Sequence, residues 1–431
     1  MAILEKLKDH WQKPLYRNSY YLMGNSVVGA GMGFLFWMVA ARYYDSGDMG
    51  LAIGLISAAG LLTSVSRLGL DASIVRFLDK ERDKKGFINT CLTVVGAATL
   101  LLACIYLLGL NIWGSKLLFV RENPLYVVAF IVFTGIYGVL PILNNVYVAM
   151  RDTKYTFLQN TIFSAGKIPL PIIMAPLFSI FGIFGSWGIA LTAAVLVGLF
   201  VFTRKVVPGY VPYPTFKKEM ARDVFGFSAG NYVASLLAGA PALALPLIIL
   251  HFLTPAENAY YYVAFAVAGM IFIIPGAFST SLFAEGAARE ERFLQNLKKA
   301  MKHTYLLLIP AVAVVAIFGK WALRLFGAEY SESGHILLAL LSLSGLFMGA
   351  TSFYGTYLRI KIRIREMVVV SLLTCIGLIG IPVALLSLTN LGIISVGFAY
   401  LMVYAAFCAY VVARFLAIAV RAKRNAKAGS A

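Results

Sequence analysis

Apolar stretches of 18 or more residues recur along this chain almost from one end to the other, with polar and charged residues gathered between them. At 1.5 Å of helix rise per residue, such stretches match the roughly 30 Å hydrocarbon core of a bilayer. The alternation predicts twelve spanning helices, at 18–42, 49–75, 87–109, 126–150, 157–180, 186–203, 225–252, 259–282, 303–325, 334–357, 367–388 and 391–413. The fold class expected is an all-α polytopic membrane protein, since helices satisfy their own backbone in lipid.

Composition strengthens that picture. Of 431 residues, 60% are hydrophobic and 13% charged, where a soluble domain carries about 25% charged residues. Cys91, Cys104, Cys375 and Cys408 all fall inside apolar stretches and read as small buried side chains, not as a disulfide framework or metal site. The N-terminus carries charges where a signal peptide needs its apolar core. Ile3, Leu4, Leu7, Trp11 and Leu15 instead suit one face of an interfacial helix, with Lys6, Lys13 and Arg17 nearby.

A net charge of +18 raises the question of nucleic acid, and the positions of the cations answer it. With twelve spans, thirty of the 37 lysines and arginines lie on the side of both termini. Arg42, Lys116, Arg121, Lys320 and Arg324 lie on the other side, and Arg67 and Lys167 inside spans. Such a bias places both termini in the cytoplasm of a cell membrane protein. The partners it implies are anionic membrane lipids, not nucleic acid.

The longest connection, the basic stretch 204–224, separates six predicted helices from six. The domain reading is an amphipathic N-terminus (1–17), a first lobe (18–203), this linker, a second lobe (225–413) and a basic tail (414–431). Each lobe opens with a polar-small stretch, around Asn25 and Asn231, and runs through its second helix into a basic loop. Parallel repeats of this kind enclose the substrate between lobes in many transporters. Chance likeness among apolar helices is the alternative. Gly29 and Gly33 form a GxxxG pair that predicts close helix contact. Pro241 and Pro246 permit kinks in the seventh helix, for motion or for static packing alike.

Ionisable groups inside hydrocarbon are costly and mark candidate sites. Arg67 and Lys167 lie roughly 12–16 Å deep by helical rise. Asn25, Asn144, Asn145, Asn160 and Asn231 lie in the same half of the membrane. Two cations among amides suit a phosphate or diphosphate, the arginine through its planar fork and the lysine as a point charge. The candidate headgroup set is therefore Lys167, Arg67, Asn25, Asn145 and Asn231. Asp71 lies one turn after Arg67, so the two can also form a structural ion pair, or the acid can serve ion coupling. Lys167 has no acid at i±3 or i±4, and its compensation must come from elsewhere. No Walker A sequence, cofactor motif or acid–base constellation stands out, which argues against an ATPase or an enzyme.

The segment SRLGLDASIVRFL (66–78), the early Asn25, the loop YYDSGDMG (43–50) and the six-plus-six arrangement resemble the polysaccharide and oligosaccharide flippases. These belong to the multidrug/oligosaccharidyl-lipid/polysaccharide exporter superfamily. The resemblance implies two six-helix lobes around a central cavity that opens alternately to each side. It also implies a substrate of oligosaccharide on polyprenyl phosphate or diphosphate, and glycan-assembly enzymes as possible partners. The chain lacks the two further C-terminal helices of the lipid II branch, which points to another glycan. Multidrug extrusion by cation antiport is the competing expectation. It needs membrane carboxylates, and Asp71 is the one candidate within a span, with Glu285 at a helix end.

Overall fold

The computed structural model describes residues 14–288 and 293–428. The expected interfacial helix at the N-terminus therefore lies almost wholly outside the described residues. Every regular element among them is helical. The first unit contains α1 (Pro14–Tyr43), α2 (Ser46–Ser66), α3 (Leu70–Phe77), α4 (Lys84–Leu108) and α5 (Pro124–Ala149). It continues with α6 (Lys154–Gly166), α7 (Leu170–Met174), α8 (Ile180–Val197) and α9 (Lys218–Phe252). Then follow α10 (Pro255–Ala288), α11 (Phe293–Arg324), α12 (Ala328–Ile360), α13 (Ile364–Leu388) and α14 (Ile394–Ala428). Eleven helices among the described residues are long and apolar enough to cross a membrane. The remaining expected span, 157–180, is divided between α6 and α7.

Two expected spans are broken where the pattern predicted continuity. The segment 49–75 stops at Ser66 and resumes at Leu70, with Leu68 at φ 51° and Gly69 at φ 80° between the pieces. Leu68 is a costly residue for that left-handed region, which glycine enters freely. The segment 157–180 stops at Gly166, and α7 extends only to Met174. Pro169 and Pro171 explain this break, because neither supplies a backbone N–H and each crowds the preceding turn.

Contacts divide the chain into two compact units, Met1–Ala259 and Tyr260–Ala431. The seventh long apolar helix, α9, packs within the first. A β-carbon on Gly54 or Gly60 of α2 would lie 2.7 or 2.9 Å from Leu250 or Leu243 of α9, so small residues on α2 are what let the helices meet. Asn258 Nδ2 adds a 2.8 Å hydrogen bond to the Gly50 carbonyl. Close contact was expected instead at Gly29 and Gly33, and that expectation fails. Among the described residues nothing lies within 4 Å of a β-carbon built there, so these glycines face open space.

In the second unit, Leu282, Phe293, Leu297, Phe353, Tyr354, Tyr357, Leu358 and Val411 form one buried cluster. The four cysteines are free thiols. Cys91 and Cys375 are buried as expected, whereas Cys104 is exposed on the apolar face of α4.

Candidate functional site

The break after α2 creates the site. Arg67 occupies the C-cap of α2, where the helix ends in carbonyls without intrahelical donors and carries partial negative charge. That environment favours a cation. The following short helix α3 returns Asp71 to the guanidinium, with Arg67 Nη1 3.2 Å from Asp71 Oδ2. Arg67 Nη2 donates to Ser64 Oγ at 3.3 Å. The Nε donor is buried with no hydrogen-bond partner among the described residues. An unmet buried donor on a cation costs free energy that an incoming acceptor can recover.

Tyr232 on α9 donates to the Val65 carbonyl at 2.6 Å and approaches the Ser64 carbonyl at 3.3 Å. A residue from another helix thus satisfies the exposed end of α2 and holds the break in place. Around it lies a cavity of about 400 Å³, lined by Ser64, Arg67, Asp71, Asn145, Tyr232 and Ser235 with Ala72, Val75 and Leu236. The Arg67 and Asp71 side chains are 29% and 28% exposed, so the pair is neither sealed in protein nor freely solvated.

Of the sequence-predicted residues, the structure brings Arg67, Asp71 and Asn145 together here. Asn25 lies elsewhere, accepting from Asn160 Nδ2 at 2.9 Å. Asn160 in turn accepts from Asn144 Nδ2 at 3.2 Å, so three amides link α1, α6 and α5. Asn231 belongs to α9, but its side chain lies outside the described residues.

Lys167 has a different setting. It caps the C-terminus of α6, at the second break, and is 9% exposed. Its ammonium lies 5.0 Å from the Phe36 ring centroid and 4.8 Å from that of Phe163. Two ring faces attract a desolvated cation, and no carboxylate pairs with it among the described residues. Lys167 does not line the Arg67 cavity.

Ser64, Tyr232 and Ser235 escaped the sequence reading. Their signal was present: Ser64, Arg67 and Asp71 recur at helical spacing, as do Tyr232 and Ser235. Hydroxyls in apolar helices are common, however, and spacing alone does not say which faces meet.

Residues 15–257 match the family described as polysaccharide biosynthesis protein. The chain belongs to that family. The match covers more than half of the sequence and lies within the first compact unit. No curated protein sequence matches the chain. Among solved structures, a lipid II flippase MurJ in an inward closed conformation is similar at TM-score 0.71 and 12% identity, over 92% of this chain and 87% of that one. An inward-facing multidrug resistance MATE family transporter is similar at TM-score 0.60 and 14% identity, over 93% and 95%. A MOP superfamily transporter from Pyrococcus furiosus gives TM-score 0.52 and 13% identity, over 94% and 96%. At these identities the likeness shows the fold alone, a polytopic helical one.

Proposed function

We propose that this polysaccharide biosynthesis protein is a flippase, not an enzyme, moving an oligosaccharide on polyprenyl phosphate or diphosphate from the cytoplasmic to the outer leaflet. Both termini face the cytoplasm of the cell membrane, as the distribution of cations favours. The observation that carries the reading is Arg67 in its cavity, with one guanidinium donor buried and unmet. A phosphate oxygen can accept from the part of the guanidinium that faces the cavity, and Asn145, Ser235 and Tyr232 offer neutral polar groups around it. Asp71 keeps the empty site near neutrality, so a phosphate enters in competition with it. At about 400 Å³ the cavity falls in the ordinary range for small-molecule sites. It suits a phosphate and the first sugar, and the rest of the glycan lies beyond it. Lys167 and Asn25 then serve helix packing elsewhere in the first unit.

Charged sugar phosphates do not cross hydrocarbon unaided. Outward movement of one negative charge across an inside-negative membrane is favoured by about 2.3 kcal/mol per 100 mV. The decisive test is flipping of a defined lipid-diphosphate glycan in proteoliposomes, comparing the parent with Arg67→Ala. Loss of flipping is expected, and undiminished flipping overturns the headgroup site.

A second reading rests on Asp71, whose carboxylate lines the same cavity. A proton or sodium ion exchanging there for an organic cation would make a multidrug antiporter. Deletion of the gene separates the two: surface glycan changes under the first reading, tolerance of toxic cations under the second.

A further inference from the structure

The second unit carries a cleft of its own. It has a volume of about 520 Å³ and lies between α13 and α14. Its walls are Val369, Val370, Leu373, Thr374 and Ile381 on α13, facing Met402, Val403, Ala406, Phe407 and Tyr410 on α14, with Glu366 at one end. On α13 these positions repeat at helical spacing over fifteen residues, so the cleft runs roughly 22 Å along the helix. Leu373 and Met402 remain 59% and 54% exposed, which leaves the cleft open along its side.

Its polar end is electrically unbalanced. Glu366 accepts from Arg363 Nη1 at 3.2 Å and from Arg414 Nη2 at 3.0 Å, and Tyr354 donates to the same carboxylate. Among the described residues, two guanidinium groups thus meet one carboxylate. Arg414 Nε is buried and has no hydrogen-bond partner among the described residues. The turn entering α13 reads Arg359-Ile360-Lys361-Ile362-Arg363-Ile364-Arg365, alternating cations with isoleucines. Ile362 is 76% exposed although branched and apolar. Water gives such a side chain no reason to stand out. The boundary between headgroups and acyl chains does, because there isoleucine enters oil while its neighbours reach phosphate.

We propose that this cleft binds an anionic phospholipid, with one acyl chain between α13 and α14 and its phosphate against Arg363 and Arg414. Charge complementarity selects the headgroup: the surplus cation calls for an anionic acceptor at the exposed part of the guanidinium pair, and a zwitterionic lipid offers its phosphate only with a compensating ammonium. The site is independent of which substrate the first unit carries. Its placement in the cytoplasmic leaflet follows from the orientation proposed above. The bound lipid would fasten the last two helices together along an open seam, so the protein's stability would follow the anionic lipid content of its membrane.

The test is native mass spectrometry of the purified full chain, exchanged into mixed phosphatidylglycerol and phosphatidylcholine. Retention of phosphatidylglycerol over phosphatidylcholine by roughly tenfold is expected, from two cations near one phosphate. Ala406→Trp, which fills the cleft and spares both arginines, should bring the ratio close to unity. The double variant Arg363→Gln with Arg414→Gln should do the same, while Glu366→Gln, which frees both guanidinium groups, should keep or raise the preference. Equal retention of the two lipids by the parent overturns the proposal. So does a preference that survives Ala406→Trp, or displacement of phosphatidylglycerol by an equimolar polyprenyl phosphate, which would make the cleft a carrier-lipid site. Flipping assays on Arg67→Ala report on the other unit, so the two readings fail separately.

Discussion

Two membrane-embedded cations sit at two helix breaks in the first unit, and they are handled in opposite ways. Arg67 ends α2 and faces a cavity, with Asp71 held at Nη1, Ser64 at Nη2 and Nε unmet among the described residues. Lys167 ends α6 and is covered by Phe36 and Phe163. Both lie at the negative end of a helix dipole, which is favourable for either cation. The difference lies in the remaining compensation. An arginine with a spare directional donor and an open volume is equipped to bind, whereas an ammonium enclosed by ring faces is equipped to hold a packing arrangement. The depth expected for each from helical rise does not separate those roles.

The sharpest way to break this comparison is to remove each charge in turn. Arg67→Ala should reduce flipping by about tenfold or more, the scale of one lost hydrogen bond to a charged group. Lys167→Met, which keeps the length of the side chain, should stay within about twofold of the parent. The reverse ranking in proteoliposomes would exchange the roles assigned here.

Next comes the break itself. Gly69 holds φ 80°, and Gly69→Ala should cost about 1 kcal/mol or more through left-handed strain. Leu68→Gly should move stability the other way, since Leu68 already bears such strain at φ 51°. Thermal unfolding in detergent would read both. If neither variant shifts the midpoint, the turn is not the constraint that holds Arg67 in place.

The enclosure of Lys167 predicts coupling to its rings. A double-mutant cycle between Phe163→Leu and Lys167→Met should give an interaction of about 1 kcal/mol. Additive effects would remove the cation–π account and leave Phe163 as packing alone.

The smallest expected effect concerns a contact outside the membrane. Asp83 caps α4 through the Gly86 N–H at 2.9 Å and also pairs with Lys217. The Lys217 hydrogen bond, with that from Gly86, holds the Asp83 carboxyl below its ordinary range. A lowered folded value means the contribution is complete above the ordinary carboxylate value near ~3.9 and fades as pH falls through the lower one. Thermal stability should therefore show no inflection from this pair between pH 5 and 8. Asp83→Ala should cost about half a kcal/mol, mainly the lost cap, because the exposed ion pair is well screened. A marked pH dependence in that window, abolished by Asp83→Ala, would contradict the assignment.

Much of the architecture was legible in the chain because a bilayer imposes length and apolarity on every spanning segment. The twelve segments and the buried Cys91 and Cys375 follow from that constraint alone. The amides were legible as polar residues in oil, but their partners were not. Asn25, Asn160 and Asn144 join in a chain, while Asn145, one residue from Asn144, faces the cavity. Neighbours on a helix point about 100° apart, so composition at a given depth says little about which surface a side chain meets.

By itself, then, the sequence determined that this protein lives in lipid, where its helices fall and which rare cations need an explanation. Those are local properties, carried by the hydrophobicity of each window. Only the tertiary structure decided that α2 breaks at Arg67, that Tyr232 of a distant helix holds the broken end, and that Lys167 is enclosed by rings. Each of those outcomes depends on helix rotation, and rotation in a membrane is set by small residues and shape at the contacts between helices, where burial in oil gives no preference.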